Sequence, residues 1–315
     1  AVNTRVFEGV QQPVCIVMAS RREETQPDKP ASVRFRQLPL GKRDAKFKSI
    51  AAIGLDDAGW EDASTEWRGS FFPEAEQQWK SYPPIESMFE YDGSGVMLGR
   101  TWVIAPDKET LIARWKRLVG EKDIEAKQRL FHPHLRNGLP GDKHAGKIVA
   151  EGLRGQPHRA IAVENDDDAV IEPTRYGFRS FDRQWIIPDA RLINQPNPNL
   201  WRAHSSRQMH LTIWHRYSPD IGPALTVTGL IPDLDHYKGS FGGRAIPLWA
   251  DAAASQPNVR QALLNELSLL YGRVVSAEDV FAYIAAVGAH PGYTSRFAKD
   301  LMQPGLRAAC RMATY

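Results

Sequence analysis

The stretch from residue 175 to residue 201, RYGFRSFDRQWIIPDARLINQPNPNLW, constrains this chain more than any other segment. It crowds together four arginines (Arg175, Arg179, Arg183, Arg191), five large aromatics (Tyr176, Phe178, Phe181, Trp185, Trp201) and five amides (Gln184, Asn194, Gln195, Asn197, Asn199). A dry core does not take so many guanidinium and amide groups, because each needs a partner once it leaves water. A disordered tail does not carry so many rings. An ordered surface that sets forked donors beside ring faces satisfies both limits. Nucleic acid suits such a surface, since a guanidinium can grip a phosphate or a guanine edge with two bonds. A structural turn in which the arginines pair with Asp182 and Asp189 is the alternative, and a protein–protein hot spot is another.

With 315 residues the chain has room for two domains, and 42% apolar residues allow a sizeable core. The net charge of +3 means that any nucleic-acid binding must come from a local patch. Such a patch exists. Residues 169–216 hold seven arginines, no lysine and three acids (Glu172, Asp182, Asp189), a local balance of +4. A merely solubilising face would use lysine as readily. Two distant cysteines, Cys15 and Cys310, make no disulfide framework and fit a reducing cytoplasm. No run of 18 apolar residues exists to span a membrane. The first residue is not Met and a strand-like segment follows at once, so the chain reads as a piece of something larger.

Residues 13–19, PVCIVMA, predict a strand buried on both faces, with Cys15 as a small core residue, in a long-looped hairpin with residues 33–37. A basic helix is expected over 41–50 and irregular structure over 56–95. The glycines of GSGVMLG, residues 93–99, are wrongly spaced for a nucleotide fingerprint. Asp107 is expected to cap a helix with Leu111, Ile112, Trp115, Leu118 and Val119 on one face. His132, His134 and His144 lie in a Pro/Gly loop and read as surface or capping residues, with no metal assigned. The acidic run 164–168, ENDDD, reads as a solvated linker. Strands are expected at 208–214, 224–231 and 245–249, with a glycine loop carrying Lys238 and Arg244 before the last. Asn258 is expected to start a helix, and Ser276 with Asp279 to box the start of another.

Three segments carry a family resemblance. RYGFRSFDRQWIIPD resembles an R-P-F-D-x-R-W-x-Y-Y-D block, and SAEDVFAYIAAVGAHPGYTSRFAKDL a D-I-F-x-Y-V-Y-x-x-L-H-x-P-x-Y-R-x-R-F helix, of Type ISP restriction–modification enzymes. RVFEGVQQPVCIVMASRR, followed by VRFRQLP, is similar to the last strands of that family's adenine-specific methyltransferase domain. The catalytic NPPY-type motif and the glycine-containing cofactor motif of the family do not occur here, and RAACRMATY departs from the family pattern after about Leu306.

The resemblance implies an α+β chain. Residues 1–50 would be terminal methyltransferase-like strands, 51–165 a connector, and 166–315 a β-rich target-recognition domain closed by helices. It implies DNA recognition in a cytoplasmic phage-defence system, with double-stranded DNA and the upstream methyltransferase and translocase parts of the same polypeptide as partners. No catalytic residue and no bound cofactor is assigned to this chain. S-adenosyl-L-methionine is implied for the full-length enzyme. The pool of DNA-contacting residues is Arg175, Arg179, Arg183, Gln184, Asn194, Asn197 and Arg207, with Lys238 and Arg244 from the glycine loop. Phe181 and Trp185 are expected to anchor the segment in the core. A protein–protein or interdomain coupling module is the rival reading.

Overall fold

The computed structural model describes residues 15–20, 26, 28–39, 42–54, 58–63, 65, 67, 71, 73, 77–133, 135–136, 139–140, 143–214, 222–237, 242–302 and 305–308. The chain divides into two compact units, Ala1–Glu76 and Gln77–Tyr315. In the first unit, β1 (Arg34–Phe35) pairs with β2 (Glu61–Asp62), and α1 (Arg43–Ala51) lies between them in sequence. Helix α1 buries no residue, as its run of charges predicts. Residues 13 and 14 of the strand expected at 13–19 lie outside the described residues, and the described remainder forms no strand. Residues 15–20 are exposed and irregular, Cys15 included. No strand pairs with them among the described residues, and an unpaired strand leaves its N–H and C=O groups to water.

The second unit contains, in order, α2 (Gln77–Ser81), β3 (Gly93–Ser94), β4 (Ile104–Ala105), α3 (Lys108–Gly120), α4 (Ile124–Phe131), β5 (Leu135–Arg136) and β6 (Leu139–Pro140). After these come β7 (Thr174–Arg179), β8 (Asp182–Ile186), α5 (Pro198–Arg202), β9 (His210–Trp214), β10 (Leu225–Thr228), β11 (Ile231–Pro232) and β12 (Gly243–Pro247). Helices α6 (Gln261–Tyr271), α7 (Ala277–Ala289) and α8 (Pro291–Arg296) follow. The architecture is α+β, as expected. One four-stranded sheet has the order β10-β9-β12-β3 and is antiparallel throughout. The other has the order β11-β7-β8-β4, with β11 and β7 parallel.

Local signals set the helices. Asp107 accepts from the Thr110 N–H at 2.7 Å and caps α3. Leu111, Trp115 and Leu118 form the buried stripe of α3. Ser276 and Asp279 close the capping box of α7. Gly288 of α7 lies against Leu225 of β10, where a Cβ would fall 2.5 Å from a leucine methyl, so the helix approaches the sheet closely.

The glycine-rich turn links the two sheets. Gly93 and Ser94 pair with β12, and two residues on Val96 bridges to Asp233 beside β11. Gly95 permits this crossing, since a Cβ there would sit 2.3 Å from the Asp233 carbonyl oxygen. Around it Val96, Leu98, Ile104, Trp115, Tyr176, Ile186, Leu192 and Trp201 share one buried core. Each such large side chain contributes roughly 1.5–3 kcal/mol on leaving water.

The run 164–168 is not simply solvated: Asp166 is buried, held by Arg191 at 2.8 Å and Arg159 at 2.9 Å. Periodicity could not reveal this, because those arginines lie in other segments. Asn258 does not start α6, which begins three residues later. Instead its buried amide brackets the chain: Oδ1 accepts from Tyr91 N at 2.9 Å, and Nδ2 donates to the Tyr91 and Pro247 carbonyls, each at 2.8 Å. Asn258→Ala is therefore expected to lower stability by about 2–3 kcal/mol, because buried backbone groups lose their partner. Urea unfolding should show a lower midpoint at unchanged slope.

Candidate nucleic-acid interface

The β7–β8 hairpin carries most of the arginine-rich stretch. Strict alternation along β7 would put Arg175, Gly177 and Arg179 on one face. The register pairs Arg175 with Trp185 and Gly177 with Arg183, then slips so that Arg179 faces Asp182. Opposed residues share a face of the sheet, so Arg175, Trp185 and Arg183 stand together. The slip at Phe178 inserts one residue and turns the next side chain over. Arg179 therefore joins the Tyr176 face.

On that face Arg179 Nη1 meets Asp233 Oδ1 at 2.8 Å, and Tyr176 Oη donates to Asp233 Oδ2 at 2.8 Å. Burial pushes the Asp233 carboxyl up, against the pull of the Asp235 N–H, Tyr176 and Arg179. Burial and the nearby Asp233 charge push the Tyr176 phenol well above its ordinary value. This network braces the hairpin from behind. His236 braces it from the side: its Nδ1 lies 2.8 Å from the Gly177 carbonyl, and its ring fills the space where a Cβ would project from Gly177. Burial pushes His236 down, which keeps its ring neutral.

On the other face Arg175 lies 4.2 Å and Lys108 4.5 Å from the centroid of the half-buried Trp185 ring, both within cation–π range. Lys108 also pairs with Glu172. Arg183 is exposed and forms no ion pair among the described residues. Arg207 is exposed in the turn before β9, 5.9 Å from the Trp249 ring. It lies in the segment that leads into the other sheet, so the hairpin face does not include it.

The remaining candidates take partners inside the chain. The Gln184 amide donates to Asp182. Asn194 Oδ1 accepts from Arg100 Nη2 at 3.2 Å. Asn197 accepts from Tyr91 Oη at 2.7 Å and donates to the Ser94 carbonyl. Arg244 Nε donates to Asp92 Oδ2 at 2.9 Å, closing the β12–β3 edge with an ion pair. Lys238 lies outside the described residues. Of the two rings expected in the core, Trp185 is half-buried and Phe181 is 100% exposed at the hairpin tip. Ser180 and Phe181 are the whole turn between the strands. Sequence reading did not single out Lys108, Asp233 or His236 for this site, since their partners lie 50 to 80 residues away and leave no periodic trace.

The sequence profile of the Type ISP C-terminal specificity domain matches residues 87–310, most of the chain and nearly all of the second unit. The chain belongs to this family. The match agrees with the resemblance drawn from the two motif blocks, and it continues past Leu306, where the sequence was expected to depart from the pattern. Leu306 and Ala308 are buried there. No curated protein sequence matches the chain significantly.

Solved structures share the fold of this Type ISP specificity domain at low identity. The chain is similar to DrdV in a DNA complex seen by electron cryomicroscopy, with a TM-score of 0.52, 15% identity, and 85% of this chain and 28% of that one covered. It is similar to a nuclease-deletion mutant of the Type ISP restriction–modification enzyme LlaGI in complex with a DNA substrate mimic, with 0.50, 17%, 85% and 21%. It is also similar to the ATP-dependent Type ISP enzyme LlaBIII bound to DNA, with 0.54, 12%, 88% and 18%. The chain thus spans less than a third of the length of each of these three structures.

Proposed function

We propose that this chain reads the DNA target for an adenine-specific methyltransferase in a restriction–modification system that acts in the cytoplasm against phage. The carrying observation is the hairpin face on which Arg175 and Arg183 stand exposed beside Trp185, backed by the Asp233–Tyr176–Arg179 network. Specificity needs donors held in fixed geometry, and a strand pair braced by buried bonds supplies that. The DNA in each of the three compared structures supports the same reading.

In this reading Arg175, Arg183 and Arg207, with Lys238, form the contact set, sorted between phosphate positioning and base-edge reading. Arg179, Gln184, Asn194, Asn197 and Arg244 hold the reading surface in shape. Residues 1–50 finish an upstream methyltransferase domain, to which the adenine must be flipped for methylation. S-adenosyl-L-methionine would supply the methyl group there. The glycine-rich turn does not fit it, because Tyr91, Asp233 and Asn194 occupy the space beside Gly93, Gly95 and Gly99. No step in this chain runs through that cofactor.

The test is DNA affinity of the chain as a function of salt. The variant Arg175→Ala/Arg183→Ala/Arg207→Ala is expected to bind duplex DNA far more weakly at low salt. Each lost phosphate contact should reduce the slope of log affinity against log salt by about 0.9. A base-reading arginine should instead relax preference at one position, by about 1–3 kcal/mol. Unchanged low-salt affinity in the triple variant would sink the assignment.

The coupling-module reading has its own surface. Leu269, Leu270, Tyr271 and Val274 are exposed together at the end of α6 and the turn after it, a pattern suited to a protein contact. It predicts that DNA binding appears only when the upstream part is present.

A further inference from the structure

The tip of the β7–β8 hairpin combines features that packing alone does not require. Phe181 is 100% exposed, so folding brings its ring no burial, although water is a poor solvent for it. The tip is nevertheless held firmly. Ser180 Oγ donates to the His236 carbonyl at 3.0 Å and the Tyr237 carbonyl at 3.2 Å. Arg179, just before the turn, is tied to Asp233 at 2.8 Å. Neither turn residue needs a positive φ. The acid beside the ring, Asp182, is engaged by the Gln184 amide. Two residues past the ring stands exposed Arg183, with Arg175 further along the same face.

A braced two-stranded ribbon led by an apolar ring and followed by cations matches duplex DNA in shape and charge. A β-ribbon fits within a groove, phosphates line its walls, and apolar side chains enter between base steps and unstack them. A ring held in place before binding loses little entropy on insertion.

We propose that Phe181 is a stacking wedge: as the hairpin enters the duplex, its ring slides between two base pairs while Arg183 and Arg175 take the flanking phosphates. This rests on the DNA-recognition reading and adds to it a residue that acts through base stacking. The wedge selects deformable sequence, since pyrimidine–purine steps open most easily.

The experiment uses the 315-residue chain and duplexes selected for binding from a random pool, then synthesised with 2-aminopurine at each successive position. The unaltered chain should raise fluorescence several-fold at one step, where the neighbouring base is unstacked. Phe181→Ala should abolish that rise at saturating protein and weaken binding about tenfold, in line with the loss of one stacked base. Phe181→Trp should keep the rise. All three proteins should melt at the same temperature, because the exposed ring packs on nothing. If Phe181→Ala matched the unaltered chain in affinity and fluorescence while the triple arginine variant lost binding, the wedge would be overturned and the DNA-recognition reading would stand. If the unaltered chain bound no duplex at any salt concentration, both would fall.

Discussion

Arg191→Ala is expected to lower the stability of the second unit by about 3–5 kcal/mol at neutral pH, the range for removing one partner from a buried charge cluster. Arg191 and Asp189 are each 1% exposed at their side chains, and Asp166 is 0% exposed. Its Nη2 lies 2.6 Å from Asp189 Oδ2 and 2.8 Å from Asp166 Oδ2, and its Nε donates to both Asp189 oxygens at 3.0 Å. Without the guanidinium, two carboxylates stay buried and, among the described residues, only the Arg159 cation faces one of them. Burial alone would raise the Asp166 carboxyl. Hydrogen bonds from Arg191, Arg159 and the Asp168 N–H, with the Arg191 charge, outweigh burial and hold it below its ordinary range. A depressed carboxylate stabilises the fold above its unfolded pKa of about 4, and that contribution is lost as pH falls through the folded value. The penalty of Arg191→Ala should therefore be largest at pH 7 and shrink in acid, where the stranded Asp166 carboxylate can protonate. Denaturant titrations at the two pH values measure this. A loss below about 1 kcal/mol at pH 7, as for an exposed pair, would contradict the burial argument.

The second large effect is acid sensitivity at pH values too high for carboxylates to titrate. His210 on β9 is fully buried, and burial pushes its imidazole down to about 3. Its ordinary value is about 6.5. Between these values the unfolded chain binds a proton that the folded chain refuses, so stability falls with decreasing pH, by up to about 1.4 kcal/mol per unit. At pH 5 the loss relative to neutral pH should be about 2 kcal/mol from this residue. His204 and His236, both lowered by burial, act in the same direction. His210→Leu isolates its share: its stability curve should be flatter by about one proton between pH 6.5 and 5. Parallel curves for the two proteins would show that His210 takes up its proton without unfolding.

What local chemistry encodes could be read from the chain. The caps at Asp107 and Ser276 are bonds between residues three apart, and each falls where the sequence places it. The stripe of α3 is buried as its spacing predicts. The two blocks at 175–189 and 276–301 lead to the right family, because motif order and spacing survive in sequence. The strands at 208–214 and 245–249 follow from β-branched and apolar runs, and become β9 and β12.

The site was less legible, since partner choice is made over long range. Arg244 closes on Asp92 and Asn197 on Tyr91, 152 and 106 residues away. Composition does not reveal these intramolecular partners. The strand expected at 13–19 has no pairing partner among the described residues, and apolar character alone does not make a strand.

The hairpin condenses this division. Sequence by itself determined that an arginine- and aromatic-rich stretch belongs to a Type ISP specificity domain. Tertiary structure decided which arginines stand free. One extra residue at Phe178 turns Arg179 inward to Asp233, while Arg175 and Arg183 stay outside and Phe181 projects from the tip. Alternation has a period of two, so a single bulge reverses every later assignment. Only the paired strand, absent from any local reading, shows where that bulge falls.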